Sequence, residues 1–126
     1  MPERKKKVLI IDDDEIFVSL INYYLEQSGK YEAFNCTDGQ EGIMMVKRIK
    51  PDLILLDIMM PRMSGTDVME QLLNDPITKD IPVIFLTGAV TKDDIKTQGA
   101  VVGGRRFLAK PVSHRDLLAT VESVFL

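Results

Sequence analysis

The sequence predicts a doubly wound α/β fold, in which a five-stranded parallel sheet is covered by helices on both faces. Short apolar runs alternate along the chain with segments whose apolar residues recur at helical spacing. The runs are apolar on both faces, as in strands that lie between two layers of helices. Because strands and helices that alternate in this way form parallel sheets, functional residues are expected where the strands end.

Five apolar runs supply the strands of this sheet. The predicted strands cover residues 8–11, 31–36, 53–56, 83–86 and 106–109. Helix-breaking residues separate several of them from the preceding helix: Gly29 precedes the second strand, Pro51 the third and Pro82 the fourth. The segments between the strands are long enough for one helix each, and a further helix follows the fifth strand.

The first turns of the helices carry capping residues. Four helices begin with a cap residue and an acid three positions later, which is the capping-box pattern or its aspartate variant. The pairs are Asp38 with Glu41, Ser64 with Asp67, Thr91 with Asp94, and Ser113 with Asp116. Asp14 precedes the first helix, where we expect it to act as the cap or to lie in solvent.

Apolar stripes predict which side of each helix faces the sheet. The stripe of the first helix consists of Ile16, Phe17, Leu20, Ile21, Tyr24 and Leu25. In the third helix we expect Val68, Leu72 and Leu73 to point inward. The fourth helix is the weakest, because Gly99 lies inside it and residues 103–104, both glycine, end it. An interior glycine costs roughly 1 kcal/mol relative to alanine.

Composition and charge restrict the range of functions. The chain has 126 residues, 45% hydrophobic and 28% charged, as expected for one ordinary globular domain. Its formal net charge of −3 gives no reason to expect direct binding to nucleic acid. The apolar runs are too short to cross a membrane, and the basic tail at residues 1–6 has no apolar stretch of a signal peptide after it. With its single cysteine, Cys36, the protein is expected to be cytoplasmic.

Polar residues follow four of the five predicted strands. Asp12 and Asp13 come directly after the first strand, and Asp57 directly after the third. Thr87 follows the fourth strand and Lys110 follows the fifth. Because the carboxyl ends of parallel strands share one edge of the sheet, these side chains are expected to converge. Carboxylates, a hydroxyl and an ammonium group in one place predict a site for a divalent metal and a phosphoryl group.

In this combination the chain resembles the receiver domains of two-component response regulators, in particular the chemotaxis-regulator-like members. The motifs that carry the resemblance are Asp12-Asp13, the pattern Leu-Asp-x-x-Met-Pro-x-Met-x-Gly at residues 56–65, Thr87 and Lys110-Pro111. The resemblance covers residues 7–126, which would form the receiver domain. It implies a flavodoxin-like (βα)5 sandwich with strand order 2-1-3-4-5 and a cis peptide bond before Pro111.

The resemblance also implies roles for the residues at the strand ends. Asp57 would be the phosphoacceptor. Asp13 would bind Mg²⁺ or Mn²⁺ directly, Asp12 would bind it through water, and the backbone carbonyl of Met59 would be a further ligand. These are hard oxygen ligands, which Mg²⁺ prefers. The domain would phosphorylate and dephosphorylate itself and would not be a turnover enzyme.

The implied phosphoryl donor is a histidine kinase, a phosphotransfer protein or a small acyl phosphate. Thr87 would hydrogen-bond the phosphoryl group, Lys110 would pair with it, and Phe107 matches the rotating aromatic position of the family. The face made by the fourth helix, the fifth strand and the fifth helix would then change shape. That face would contact an unknown downstream protein or a second copy of the chain, forming a homodimer.

Residues near the phosphoacceptor suggest a slow loss of the phosphoryl group. Met59 and Ala89 lie two residues beyond Asp57 and Thr87, and neither side chain can orient an attacking water by hydrogen bonding. We therefore expect a longer-lived phosphorylated form than in members with polar residues there. We also expect a stand-alone receiver with no output domain, although excision from a longer regulator is the alternative.

Three other classes of protein share parts of this pattern. A flavin-binding flavodoxin-like protein would need a phosphate loop rich in Ser, Thr or Gly after the first strand, where this chain has three aspartates. A phosphatase of the haloacid dehalogenase type would need a second acid two residues after Asp57, where Met59 stands. A pure interaction module would not need the full set of site residues.

Overall fold

The computed structural model describes residues 4–88, 101–102 and 105–126, which form six strands and four helices. The strands are β1 (Lys6–Ile11), β2 (Tyr31–Cys36), β3 (Leu53–Asp57), β4 (Val83–Thr87), β5 (Val101–Val102) and β6 (Arg105–Ala109). The helices are α1 (Glu15–Gln27), α2 (Gly39–Ile49), α3 (Gly65–Leu73) and α4 (His114–Val124). The fifth predicted strand corresponds to β6, and the fifth predicted helix to α4.

The strands form one sheet in the order β2-β1-β3-β4-β6-β5. The five longer strands run parallel to one another, which confirms the predicted parallel sheet in the order 2-1-3-4-5. The register places Asp57 beside Leu86 and Thr87 beside Ala109. The last residues of β3, β4 and β6 therefore lie in one row along the same edge of the sheet.

The short strand β5 was not predicted. Val101 and Val102 were expected within the fourth helix, but they pair antiparallel with Arg106 and Arg105 of β6. These residues favour a strand because valine is β-branched, and the adjacent glycines weaken a helix. The rest of the predicted fourth helix, including Gly99 and the cap pair of Thr91 and Asp94, lies outside the described residues.

The apolar core is divided between the two faces of the sheet. On one face, β1, β3 and β4 pack against α1 and α4. The buried residues there are Val8, Ile10, Val18, Ile21, Leu25, Tyr31, Leu53, Leu55, Ile84, Leu86, Leu108, Val112, Leu117 and Val121. The other face packs against α2 and α3 through Leu9, Ile11, Ile43, Val46, Ile54, Leu56, Val68, Met69, Leu72 and Phe85. Alternate residues of each central strand thus serve opposite cores.

Three helix residues predicted to face the core are exposed instead. Ile16 is 85% exposed, Leu20 42% and Leu73 41%. Val18 and Met69 are buried in their place. The predicted stripe of α1 was too broad, since the sheet covers only the narrower row that includes Val18. An apolar residue on the far side of a helix costs little to expose.

Side-chain caps begin all four described helices. Asp14, Asp38, Ser64 and Ser113 each accept a hydrogen bond from a backbone N–H in the first turn. Ser64 and Asp67 form the complete reciprocal capping box. The Lys110–Pro111 bond is cis, as predicted. Among the described residues no helix is both long and apolar enough to cross a lipid bilayer.

Candidate functional site

The residues predicted to form the site converge at the carboxyl edge of the sheet. Asp12 and Asp13 follow β1, Asp57 and Thr87 end β3 and β4, and Lys110 follows β6. The parallel register brings these four strand ends side by side. Short connections then hold the polar side chains at the positions where the apolar strands stop.

Three carboxylates form the centre of the site. One oxygen atom from each of Asp12, Asp13 and Asp57 lies within 4.8 Å of the others. Asp12 and Asp57 are buried, whereas Asp13 is exposed to solvent. Buried carboxylates at this spacing repel one another and require cations to balance their charge. A set of hard oxygen donors with one open side fits Mg²⁺, which keeps several of its waters when bound.

The carboxylate of Asp12 is held at both of its oxygen atoms. Its Oδ1 accepts a hydrogen bond of 2.9 Å from the backbone N–H of Asp14. Its Oδ2 lies 2.7 Å from the Nζ of Lys110. That second contact lacks hydrogen-bond geometry, so it is an ion pair held by charge. With no exposed surface of its own, Asp12 depends on Lys110 for compensation.

Asp57 is a carboxyl group with an unusually high pKa. Burial, reinforced by the negative charges of Asp12 and by a hydrogen bond with Asp13, raises its pKa from 3.8 to about 6. Lys110, whose Nζ lies 3.6 Å from Asp57 Oδ1, acts in the opposite direction. So does the backbone N–H of Met59, which donates to the same oxygen at 3.3 Å. Binding of a further cation next to this carboxylate is therefore expected to be favourable.

Lys110 brings a positive charge to the site. Its backbone N–H donates to the carbonyl oxygen of Thr87 at 2.9 Å, which ties the end of β6 to the end of β4. Its Nζ also lies 4.6 Å from the ring centroid of Phe17, within the range of a cation–π contact. From its spacing in the sequence, Phe17 was predicted only to be a core residue of α1. No local motif reveals this contact, because it joins the first helix to the residue that follows the last strand.

Thr87 and Phe107 lie on the neighbouring strands β4 and β6. Thr87 is buried at the end of β4. Phe107 is half-buried, and its ring stacks on Phe85 with a centroid separation of 5.4 Å. Phe85 and Phe107 are directly paired across the two strands. An aromatic side chain at this position is therefore connected through β6 to Lys110 and through β4 to Thr87.

The loop after Asp57 passes close to the strand end and then enters α3. The backbone N–H of Gly65 donates to the carbonyl oxygen of Ile58 at 2.8 Å. A Cβ atom at Gly65 would lie 2.2 Å from the carbonyl oxygen of Asp57, a distance that no side chain tolerates. The glycine of the motif at residues 56–65 therefore permits α3 to begin against the backbone of the phosphoacceptor candidate.

The structure thus assembles most of the residues that the sequence singled out. Asp12, Asp13, Asp57 and Lys110 share one cluster, and Thr87 contacts the backbone of Lys110. Met59 lies beside this cluster and is 69% exposed, while Ala89 lies outside the described residues. The contribution of Phe17 was missed. The burial of Asp12 was also missed. It distinguishes Asp12 from Asp13, which is exposed.

Comparison with known proteins gives a consistent result over nearly the whole chain. Residues 8–122 match the model of the response regulator receiver domain. The phosphate regulon transcriptional regulatory protein PhoB of Pseudomonas aeruginosa is 40% identical over 94% of this chain, which spans 51% of PhoB. Protein PilH of the same species is 34% identical over 94% of this chain and 96% of its own length. The solved chemotaxis protein CheY4 of Vibrio cholerae has a TM-score of 0.81 and 28% identity, covering 96% of this chain and 99% of that chain.

Proposed function

Because this chain belongs to the family of response regulator receiver domains, we propose that it accepts a phosphoryl group on Asp57 and transmits the change to a partner. Receiver domains are signalling domains and are not classical enzymes. The observation that carries the proposal is the cluster of three carboxylates, one of which is the buried Asp57 with its raised pKa, with the Lys110 ammonium against two of them. A binding module without phosphoryl chemistry has no need of so costly an arrangement.

The proposed reaction moves one phosphoryl group. A carboxylate oxygen of Asp57 forms a bond to phosphorus as the bond from phosphorus to the donor breaks. For a phosphohistidine of a kinase or phosphotransfer protein, the imidazole nitrogen leaves with the electron pair and takes up a proton. For a small acyl phosphate, the leaving group is a carboxylate. The product is an acyl phosphate on Asp57, formed by a nucleophilic side chain.

Four groups would hold Mg²⁺ or Mn²⁺: the carboxylates of Asp12, Asp13 and Asp57 and the backbone carbonyl of Met59. The bound ion would neutralise charge on the transferring group. The side chains of the protein supply a further positive charge and hold it in position. Lys110 provides a point charge for the phosphoryl oxygens. Asp12, held by Asp14 and Lys110, fixes that ammonium beside Asp57. The chain thereby positions donor and acceptor, which is most of what phosphoryl transfer requires of a protein.

Phosphorylation would change the surface of the molecule through Thr87 and Phe107. The added phosphate brings roughly −1.5 to −2 charges and strong acceptor oxygens, which would attract the Thr87 hydroxyl. Because β4 and β6 are hydrogen-bonded neighbours, movement at Thr87 leaves room for the Phe107 ring. The surface of β6 and α4 would then present a different shape to a downstream protein or a second copy. The chain spans about half the length of PhoB. Any effect of phosphorylation on a further domain is therefore part of this proposal as well.

The class of activity is tested by intact mass after incubation with acetyl phosphate and Mg²⁺. We expect the parent protein to gain the mass of one phosphoryl group and Asp57→Asn to gain none. Asp80→Asn is a matched control, because Asp80 is an exposed acid in the loop before β4; it should be labelled like the parent. EDTA should abolish the gain. Failure of the parent to acquire any label with Mg²⁺ present would favour a pure interaction module instead.

A further inference from the structure

We propose that Phe17 is a positioning residue that holds the Lys110 ammonium beside Asp57. The inference rests on the proposed function and deepens it, since it assigns a role to a residue outside the known motif positions. Its basis is the contact of 4.6 Å between Lys110 Nζ and the centroid of the Phe17 ring. A phenyl ring at this distance attracts an ammonium group through its negative face.

The ring is tied to the same segment that carries the metal-binding candidates. The backbone N–H of Asp14 donates to Asp12 Oδ1 at 2.9 Å, and the backbone N–H of Phe17 donates to Asp14 Oδ1 at 3.1 Å. Two consecutive hydrogen bonds therefore connect the buried carboxylate to the first turn of α1. Phe17 is also half-buried against the core under α1, so packing limits the movement of its ring.

Lys110 has three partners of different kinds around one ammonium group. The Asp12 carboxylate lies at 2.7 Å and the Asp57 carboxylate at 3.6 Å, while the Phe17 ring lies at 4.6 Å. The Lys110 side chain is 21% exposed, so most of its surface is covered. A lysine on a flexible four-carbon stem loses considerable rotamer freedom when its end is fixed. The ring offsets part of that cost before a phosphoryl group arrives.

An aromatic ring does this without adding a formal negative charge. A third carboxylate in place of the ring would attract the ammonium more strongly, but it would also repel the incoming phosphoryl group. The ring leaves the charge of Lys110 available to phosphoryl oxygens and keeps it in a partly dry environment, where charges interact more strongly. An aliphatic side chain would fill the same space but would lack the attraction.

The contact itself can be tested without phosphorylation. The variants are Phe17→Leu, which keeps an apolar side chain, and Phe17→Tyr, which keeps the ring. Tyr24→Leu is the matched control, because Tyr24 is a half-buried aromatic of the same helix that stacks on His114 at 4.5 Å. We expect the NMR signals of the Lys110 side chain to lose a ring-current shift in Phe17→Leu only. Urea unfolding of each variant reports any general loss of stability.

The positioning role is tested by the rate of phosphorylation at Asp57 with acetyl phosphate and Mg²⁺. We expect Phe17→Leu to react about fivefold more slowly than the parent, which is the size of effect that one cation–π contact supports. Phe17→Tyr should restore the rate to within about twofold, since tyrosine also attracts cations. Tyr24→Leu should react at the parent rate.

The outcomes separate this inference from the proposed function. If the parent is labelled and Phe17→Leu reacts at the same rate, the positioning role is wrong while the proposed function stands. If the Lys110 signals are unchanged in Phe17→Leu, the contact is absent and the inference falls on that ground. If the parent is never labelled, the proposed function fails and the positioning role fails with it. An equal loss of rate in Phe17→Leu and Phe17→Tyr would assign the effect to packing alone and also overturn the inference.

Discussion

Asp57 illustrates how a single residue can be unfavourable for the fold and suited to chemistry. It ends an apolar strand, is only 4% exposed and lies within reach of two further carboxylates. Burial and the neighbouring acids raise its pKa to about 6, so its charged form is less stable here than in water. A divalent cation would relieve that imbalance, because it would balance the negative charge of the clustered carboxylates.

The raised pKa of Asp57 predicts a pH-dependent difference between the parent and Asp57→Asn. The folded carboxyl binds its proton more tightly than the unfolded one, whose pKa is near 3.8. The free energy of unfolding of the parent should therefore fall, through this group, as pH rises from about 4 to about 6. Asp57→Asn lacks that charge and should be more stable than the parent near neutral pH, on the order of 2 kcal/mol, with little difference at acidic pH.

Urea unfolding in the presence of EDTA, at about pH 4 and about pH 7, measures this difference. Asp80→Asn is the control, because Asp80 is exposed and lies apart from the carboxylate cluster. A stability difference between the parent and Asp57→Asn that is equal at both pH values would contradict the assigned pKa.

Because of the side chain of Met59, we expect a long lifetime of the phosphorylated form. This residue is 69% exposed beside the cluster, and its backbone N–H donates to Asp57. A thioether cannot hold an attacking water in place, whereas an amide can. We expect Met59→Asn to lose its phosphoryl group faster than the parent, measured as the decay of the phosphorylated mass after the donor is removed. A parent that decays faster than Met59→Asn would contradict the prediction.

At the scale of elements, the site depends on how strands end and helices begin. Asp14, the cap residue of α1, supplies the N–H that binds Asp12, and the first turn of α1 supplies the ring that contacts Lys110. The start of α3 lies directly against the backbone of Asp57, an approach that only a residue without Cβ permits. Gly65 is therefore a structural requirement of the loop that positions the phosphoacceptor candidate.

We expect Gly65→Ala to lower both stability and phosphorylation. The new Cβ would lie 2.2 Å from the Asp57 carbonyl oxygen, so α3 or the end of β3 has to move. Such overpacking typically costs about 1–3 kcal/mol, which urea unfolding measures directly. Gly88→Ala is the control for stability, because a Cβ there has no other heavy atom within 4 Å. Equal stability of the parent and Gly65→Ala would show that the loop adapts easily.

At the scale of the whole molecule, the sheet separates two apolar cores and leaves its polar residues at one edge. Binding of a cation at that edge should stabilise the entire fold, because only the folded chain assembles the three carboxylates. We expect Mg²⁺ to raise the melting temperature of the parent, and to raise that of Asp13→Asn much less. Asp13 is exposed, so its substitution leaves the core intact. An identical Mg²⁺ effect in both proteins would exclude Asp13 as a ligand.

Phosphorylation is also expected to change the environment of residues across part of the sheet. With Mg²⁺ and beryllofluoride as a phosphate mimic, the backbone amide signals of residues 88–112 should shift, because this stretch includes β6 and Lys110. The amides of β2, at the far end of the strand order, serve as the internal control and should move little. If the signals of residues 88–112 stay in place, the proposed change of the β6 and α4 surface is wrong. Sedimentation of the same sample tests the expected homodimer.

Some features followed directly from local sequence. The parallel strands, most helix starts and the polar residues at strand ends were predicted, because apolar runs, caps and helix breakers act over a few residues. The exceptions have local causes as well. Val101 and Val102 favour a strand over the predicted helix, and the inward side of α1 was assigned too broadly around Ile16 and Leu20. The sequence identifies these residues, but it does not show which neighbour each of them contacts in the fold.

The amino-acid order alone determined the fold class, the family resemblance and the set of polar residues at the strand ends, since each depends on short-range pattern. Only the tertiary structure decided that Asp12 is buried and Asp13 is exposed, that Lys110 contacts two carboxylates, and that the Phe17 ring lies against its ammonium. Burial, distance and pKa arise from segments that are far apart in the chain. Such quantities exist only after the sheet has brought those segments together.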